Sequence, residues 1–145
     1  MTEQIKFACE QGALTIEVCG YERPGAEDQD DANWLRCEVS IKAGPFSGAF
    51  KSAFTTHDLI ALAERLRGTL AALSGTVSFQ NSEQDIVFDI AFDKRGTASI
   101  NGTAQPHRAL EACLTFRFDT DQSCLAQTLR QLEAVLRSFP AKQAQ

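Results

Sequence analysis

Between Leu35 and Ile41 the chain alternates without a break. Leu35, Cys37, Val39 and Ile41 share one parity; Trp34, Arg36, Glu38, Ser40 and Lys42 share the other. A period of two places the apolar set on one face of a pleated strand and the polar set on the opposite face. A strand of this kind needs antiparallel neighbours and a core under one face only. The segment ahead of it cannot extend the ladder, because Pro24 has no N–H to give and Gly25 follows it. That segment also carries Glu22, Glu27, Asp28, Asp30 and Asp31, and it is bracketed by Tyr21 and Trp34, the sole Tyr and Trp of the chain. Trp34 falls on the polar parity. The core under the strand therefore does not account for it, and it must pack under the loop, cover a sheet edge or sit at the surface.

The same period recurs on both sides. Ile5, Phe7 and Cys9 alternate, Gln11-Gly12 reads as a turn, and Leu14, Ile16 and Val18 alternate after it. Beyond a turn at Gly44-Pro45, Phe46, Phe50 and Phe54 share a parity, with Gly48 marking a bulge or a close backbone approach. The period then changes. Thr55 and Asp58 form a capping-box pattern, and Leu59, Leu62, Ala63, Leu66, Leu70 and Leu73 follow at helical spacing to Ser74-Gly75.

The second half repeats the plan. Val77 and Phe79 mark a short strand; Ile86, Phe88, Ile90 and Phe92 mark a longer one. Ala98 and Ile100 predict a return strand broken at Asn101-Gly102, residues 103–109 a loop, and Leu110 to Phe118 the next strand. Asp119 to Asp121 offer N-caps for a helix with Leu125, Leu129, Leu132 and Leu136 as its stripe, ended by Pro140. The expected fold is α+β: an antiparallel sheet of about seven to eight strands with two amphipathic helices, in the order ββββα-ββββα. One reading of that order is an internal duplication, with Leu62-Ala63 aligned on Leu125-Ala126. Residues 1–140 are expected to form a single domain and 141–145 a frayed tail.

Charge narrows the function. The net charge is −5, with 14 Lys and Arg against 19 Asp and Glu. Nucleic-acid binding needs clustered cations, so none is expected, whereas a basic protein partner suits the field. No apolar run is long enough to span a membrane. The start MTEQIKFACEQG lacks an apolar signal core, so a cytoplasmic location is expected. The five Cys include no C-x-x-C and are read as reduced thiols, with Cys9, Cys37 and Cys124 at apolar positions. With only His57 and His107 to join them, no close-spaced metal ligand set exists, and no metal or cofactor is expected.

The acidic loop is the candidate site. Glu27, Asp28, Asp30 and Asp31 do not follow the spacing of a calcium loop, and no His accompanies them. Two readings stand: a solvated structural loop, or a partner-binding loop in which Trp34 supplies the aromatic anchor. Asp31 and Asn33 also suit turns in which the side chain bonds the backbone two residues on. No catalytic set accompanies these residues, so an enzyme is not expected.

At Y-x-x-P-x-x-E-D-x-x-D-A-N-W-L, spanning Tyr21 to Leu35, the sequence resembles the WapI-type bacterial immunity proteins and their uncharacterised relatives. The resemblance extends to Thr55, Thr56 and Leu59 and to the ending at Phe139-Pro140. It implies a protein that binds the toxin domain of a contact-delivered polymorphic system and blocks it by steric and electrostatic means, without catalysis. The partner-binding residues expected on this reading are Glu27, Asp28, Asp30, Asp31 and Trp34. The alternatives are a non-catalytic assembly module, such as a homodimer formed through a sheet edge, and a small enzyme of another type.

Overall fold

The computed structural model describes residues 3–106 and 112–142, the side chains of Gln29 and Asp30 excepted. The order is β1 (Glu3–Cys9), β2 (Gly12–Tyr21), α1 (Gln29–Ala32), β3 (Trp34–Ala43), β4 (Phe46–Thr55), α2 (Thr56–Ala72), β5 (Thr76–Gln80), β6 (Ile86–Phe92), β7 (Thr97–Ala104), β8 (Leu114–Asp121) and α3 (Gln122–Ser138). The chain is α+β, and its strands form two four-stranded antiparallel sheets, β1-β2-β3-β4 and β5-β6-β7-β8. Each sheet is a simple meander, so each tight turn joins neighbours and a helix follows each fourth strand.

The alternation read from the sequence sets the inner faces. Leu35, Cys37, Val39 and Ile41 are all buried, as are Leu14, Ile16 and Val18 beside them. In the second sheet Ile86, Phe88, Ile90, Ile100, Phe116 and Phe118 do the same. The two inner faces meet in one core. Phe7 meets Phe88 edge-on with ring centroids 5.2 Å apart, and Phe54 stacks on Phe79 at 5.9 Å. Burial of such side chains, at about 1.5–3 kcal/mol each, supplies the main stabilisation.

The helices do not lie across the sheets. α3 packs along β1, α2 along β5, and the two helices pack on each other. Each therefore covers the first strand of the opposite half. The contact is polar where the strand edge is bare. Lys6 N–H donates to Gln131 Oε1 at 2.7 Å, and Thr128 Oγ1 donates to Lys6 O at 2.7 Å. On the other side Arg65 donates to Ser78 O at 2.8 Å. These bonds take up edge groups that would otherwise be open to another strand.

The N-caps show how the halves correspond. Thr55 caps α2 in a full capping box with Asp58, and Asp121 caps α3 by accepting the Cys124 N–H. Aligned on these caps, Leu59 matches Leu125, Leu66 matches Leu132, and Arg65 matches Gln131. The register differs by about one turn from the leucine pairing suggested by sequence, because leucine stripes repeat at each turn and caps do not.

Three local expectations change. The register slip lies between Val18 and Gly20, whereas β4 pairs evenly through Gly48. β7 runs unbroken through Asn101-Gly102 to Ala104. Gly102 is there because a Cβ would strike the Phe116 ring and lie 2.8 Å from Val87 O. β8 starts at Leu114 and continues to Asp121, so Phe116 and Phe118 sit at its centre and not at its end. Leu110 lies outside the described residues.

Two measurements check this packing. Gly102→Ala overpacks the β6–β7–β8 face and is expected to destabilise by about 1–3 kcal/mol in urea titration, with Gly25→Ala, which meets open space, as the neutral control. Burial pushes the Cys37 thiol up to about 12, so at pH 8 it stays protonated, while Cys113 is exposed. Alkylation in native buffer is expected to label Cys113 first and Cys37 only on unfolding.

Candidate functional site

The acidic loop between β2 and β3 is closed at its neck. Glu22 N–H donates to Trp34 O at 2.9 Å, so the loop leaves and rejoins the sheet at one point. Inside it, Arg23 and Asp31 form an ion pair at 3.2 Å with both side chains well exposed. At such exposure the pair shapes the loop more than it stabilises it, at about 0–1 kcal/mol. Residues 29–32 form the single helical turn α1, and Ala32 N–H donates to Asp28 O at 2.8 Å. Ala32, the last residue of this turn, and Asn33 after it are buried.

The C-terminal segment after α3 straps the loop from outside the sheet. Asn33 Nδ2 donates to Lys142 O at 2.9 Å, and Lys142 N–H donates to Asn33 Oδ1 at 2.7 Å. The side-chain amide thus acts as a second backbone, pairing both groups of a residue 109 positions away. Tyr21 Oη donates to Pro140 O at 2.7 Å, and the Tyr21 ring meets Phe139 edge-on at 5.5 Å. Lys142 Nζ lies 3.8 Å from the centre of the Tyr21 ring and donates to Pro24 O at 3.4 Å. Partial burial raises the Tyr21 pKa further above its ordinary value. Residues 143–145, part of the expected tail, lie outside the described residues.

The other flank is fixed by the start of α2. The Asn33 carbonyl accepts from Thr56 N–H at 2.9 Å and from Thr56 Oγ1 at 3.3 Å. Trp34 pairs with the N-cap residue Thr55 across β3 and β4 and is half-buried. Asp58 in turn receives Ser82 N–H and Ser82 Oγ from the second half at 3.1 and 2.9 Å.

This geometry places the sequence-derived site residues as follows. Glu27 and Asp28 are exposed on the loop, and Asp31 is half-exposed and held by Arg23. The Asp30 side chain lies outside the described residues, although its backbone belongs to α1. Asn33, which sequence reading assigned to a local turn, is instead the buried joint between loop and tail. No local signal finds it, because its partner Lys142 lies 109 positions away. His57 is exposed in the first turn of α2, and His107 lies outside the described residues.

The arrangement is an acidic loop anchored at its neck, at Asn33 and at Tyr21, with an aromatic at its base. Chemically it can present carboxylates to a cationic surface with little loss of chain entropy on binding. A separate group, Cys9, Cys124 and Asp121, comes together at the far end of β1. Sequence reading missed it because the two thiols are 115 residues apart.

Comparison with known proteins gives a match of sequence to a family and a likeness of shape to solved structures. The family model described as the immunity protein WapI-like family matches residues 5–140. A chain of the "CdiA-CT/CdiI toxin and immunity complex from Enterobacter cloacae" is similar in structure, with a TM-score of 0.45 and 8% identity over 69% of this chain and 88% of that chain. No curated protein matches.

Replacing Asn33 by Ala leaves both backbone groups of Lys142 without their partner. The expected cost is about 1–3 kcal/mol. Amide hydrogen exchange is expected to quicken at Lys142 while Leu35 to Ile41 keep their protection. Equal loss of protection across β3 would show that the joint is part of the core and not a strap.

Proposed function

The chain belongs to the immunity protein WapI-like family, and we propose that it neutralises a cognate, contact-delivered bacterial toxin by binding it in the cytoplasm. The observation that carries this reading is the family match, which runs from the first strand through the end of α3. Binding is non-catalytic on this reading: the chain occupies a surface the toxin needs.

The loop supplies the means. Glu27 and Asp28 project from a segment fixed at its neck, at Asn33 and at Tyr21, in a protein of net charge −5. A toxin that acts on a polyanion carries a cationic substrate surface, and a fixed acidic projection competes for it. Opposite fields speed encounter, while the buried contact at the centre sets the lifetime of the complex. On this reading Trp34, half-buried at the base of the loop, supplies that central contact.

A second reading rests on one specific observation. β4 is an edge strand in the sheet order, and Phe46 at its start is 68% exposed. An assembly module pairing β4 with β4 of a second copy would use that edge, and light scattering separates a dimer from a monomer.

The test uses the toxin domain against which the chain protects cells. The Glu27→Lys, Asp28→Lys, Asp30→Lys variant is expected to associate at least about tenfold more slowly at low salt, with little change in dissociation. Trp34→Ala is expected to speed dissociation, weakening binding by about 2 kcal/mol or more. Unchanged association of the charge-reversed variant in stopped-flow mixing would remove the loop from the interface.

A further inference from the structure

Cys9 is the last residue of β1, and Cys124 lies in the first turn of α3. Their sulfurs stand 3.9 Å apart. Asp121, the N-cap of α3, accepts the Cys124 N–H on Oδ1 at 2.8 Å, and its carboxylate also bonds the Cys124 thiol, so the three side chains form one hydrogen-bonded group. One ligand atom from each of the three side chains falls within 4.8 Å of the other two. Both thiols are partly accessible.

These distances match a coordination geometry. A tetrahedral ion bonded to sulfur at about 2.3 Å holds two sulfurs roughly 3.8 Å apart. The thiol pair already stands at that separation, so an ion can be accepted without moving β1 relative to α3. The donor set is two soft sulfurs and one carboxylate oxygen, which favours a thiophilic ion over the hard ions Mg²⁺ and Ca²⁺. Three protein ligands leave one position for water.

We propose that Cys9, Cys124 and Asp121 form a binding site for a thiophilic divalent cation of the Zn²⁺ type. The site joins the end of β1 to the start of α3. It therefore reinforces the same helix-on-edge contact that Thr128 and Gln131 make at Lys6. Occupancy stabilises the folded chain increasingly as ion concentration rises, because unfolding separates Cys9 from Asp121 and Cys124. The inference does not depend on the toxin reading, since it concerns the opposite end of β1 from the acidic loop.

The experiment is a Cd²⁺ titration of the reduced full chain in a Cys113→Ser background, which removes the exposed thiol. A saturable sulfur-to-metal charge-transfer band at one ion per chain is expected. Cys9→Ser and Cys124→Ser each abolish it. Asp121→Asn keeps a good N-cap and is expected to retain the band with at least about tenfold weaker affinity. Zn²⁺ is expected to raise the Tm of the parent chain and not that of Cys124→Ser. X-ray absorption on the Zn²⁺-loaded parent chain gives a check that needs no further variant. Two sulfurs in the first coordination sphere support the site. One sulfur, none, or a band that survives Cys124→Ser overturns it.

Discussion

The first strand of each sheet has an open edge, and the structure depends on how those two edges are covered. A bare strand edge offers unpaired N–H and C=O groups and invites another chain. Here each edge is covered by the helix of the other half: α3 on β1 through Thr128 and Gln131, α2 on β5 through Arg65. The exchange has a consequence for cooperativity. Neither ββββα half closes its own first strand, so each half needs the other to be complete. It also explains why one core joins both sheets and why Asp58, at the start of α2, holds Ser82 of the second half.

That closure delivers the C-terminus to the acidic loop. α3 runs along β1, beside β2, and its end brings Phe139 to Tyr21 and Lys142 to Asn33. The loop is thereby fixed by residues from both ends of the fold. A loop rich in carboxylates would otherwise spread under its own repulsion; Arg23 and Lys142 are the cations held against it. A loop whose shape is set before contact loses less affinity to ordering than one that must be shaped on contact. In this chain the shape comes from the strap and the charge from the loop itself.

The strands were legible because they are half buried. Leu35 to Ile41 and Ile86 to Phe92 alternate cleanly, and alternation is the physical signature of one face in a core. The helices were legible from their caps and leucines. What sequence could not give was partnership at long range. Nothing near Asn33 announces Lys142, nothing near Lys6 announces Gln131, and Gly48 and Gly102 look alike until the Phe116 ring is seen above one of them. The same limit applies to the site. The acids and Trp34 stood out by type and position, whereas the joint at Asn33 and the Cys9–Cys124 pair depend on residues more than a hundred positions away.

On the proposed function, the strapped acidic loop is the surface that meets a toxin. Hydrogen–deuterium exchange of the chain, free and mixed with the toxin domain proposed as its partner, measures this directly. Added protection is expected in 22–34, with the outer strand β4 unchanged. Protection confined to β4, or to the outer faces of the sheets, with the loop exchanging as in the free protein, would contradict it.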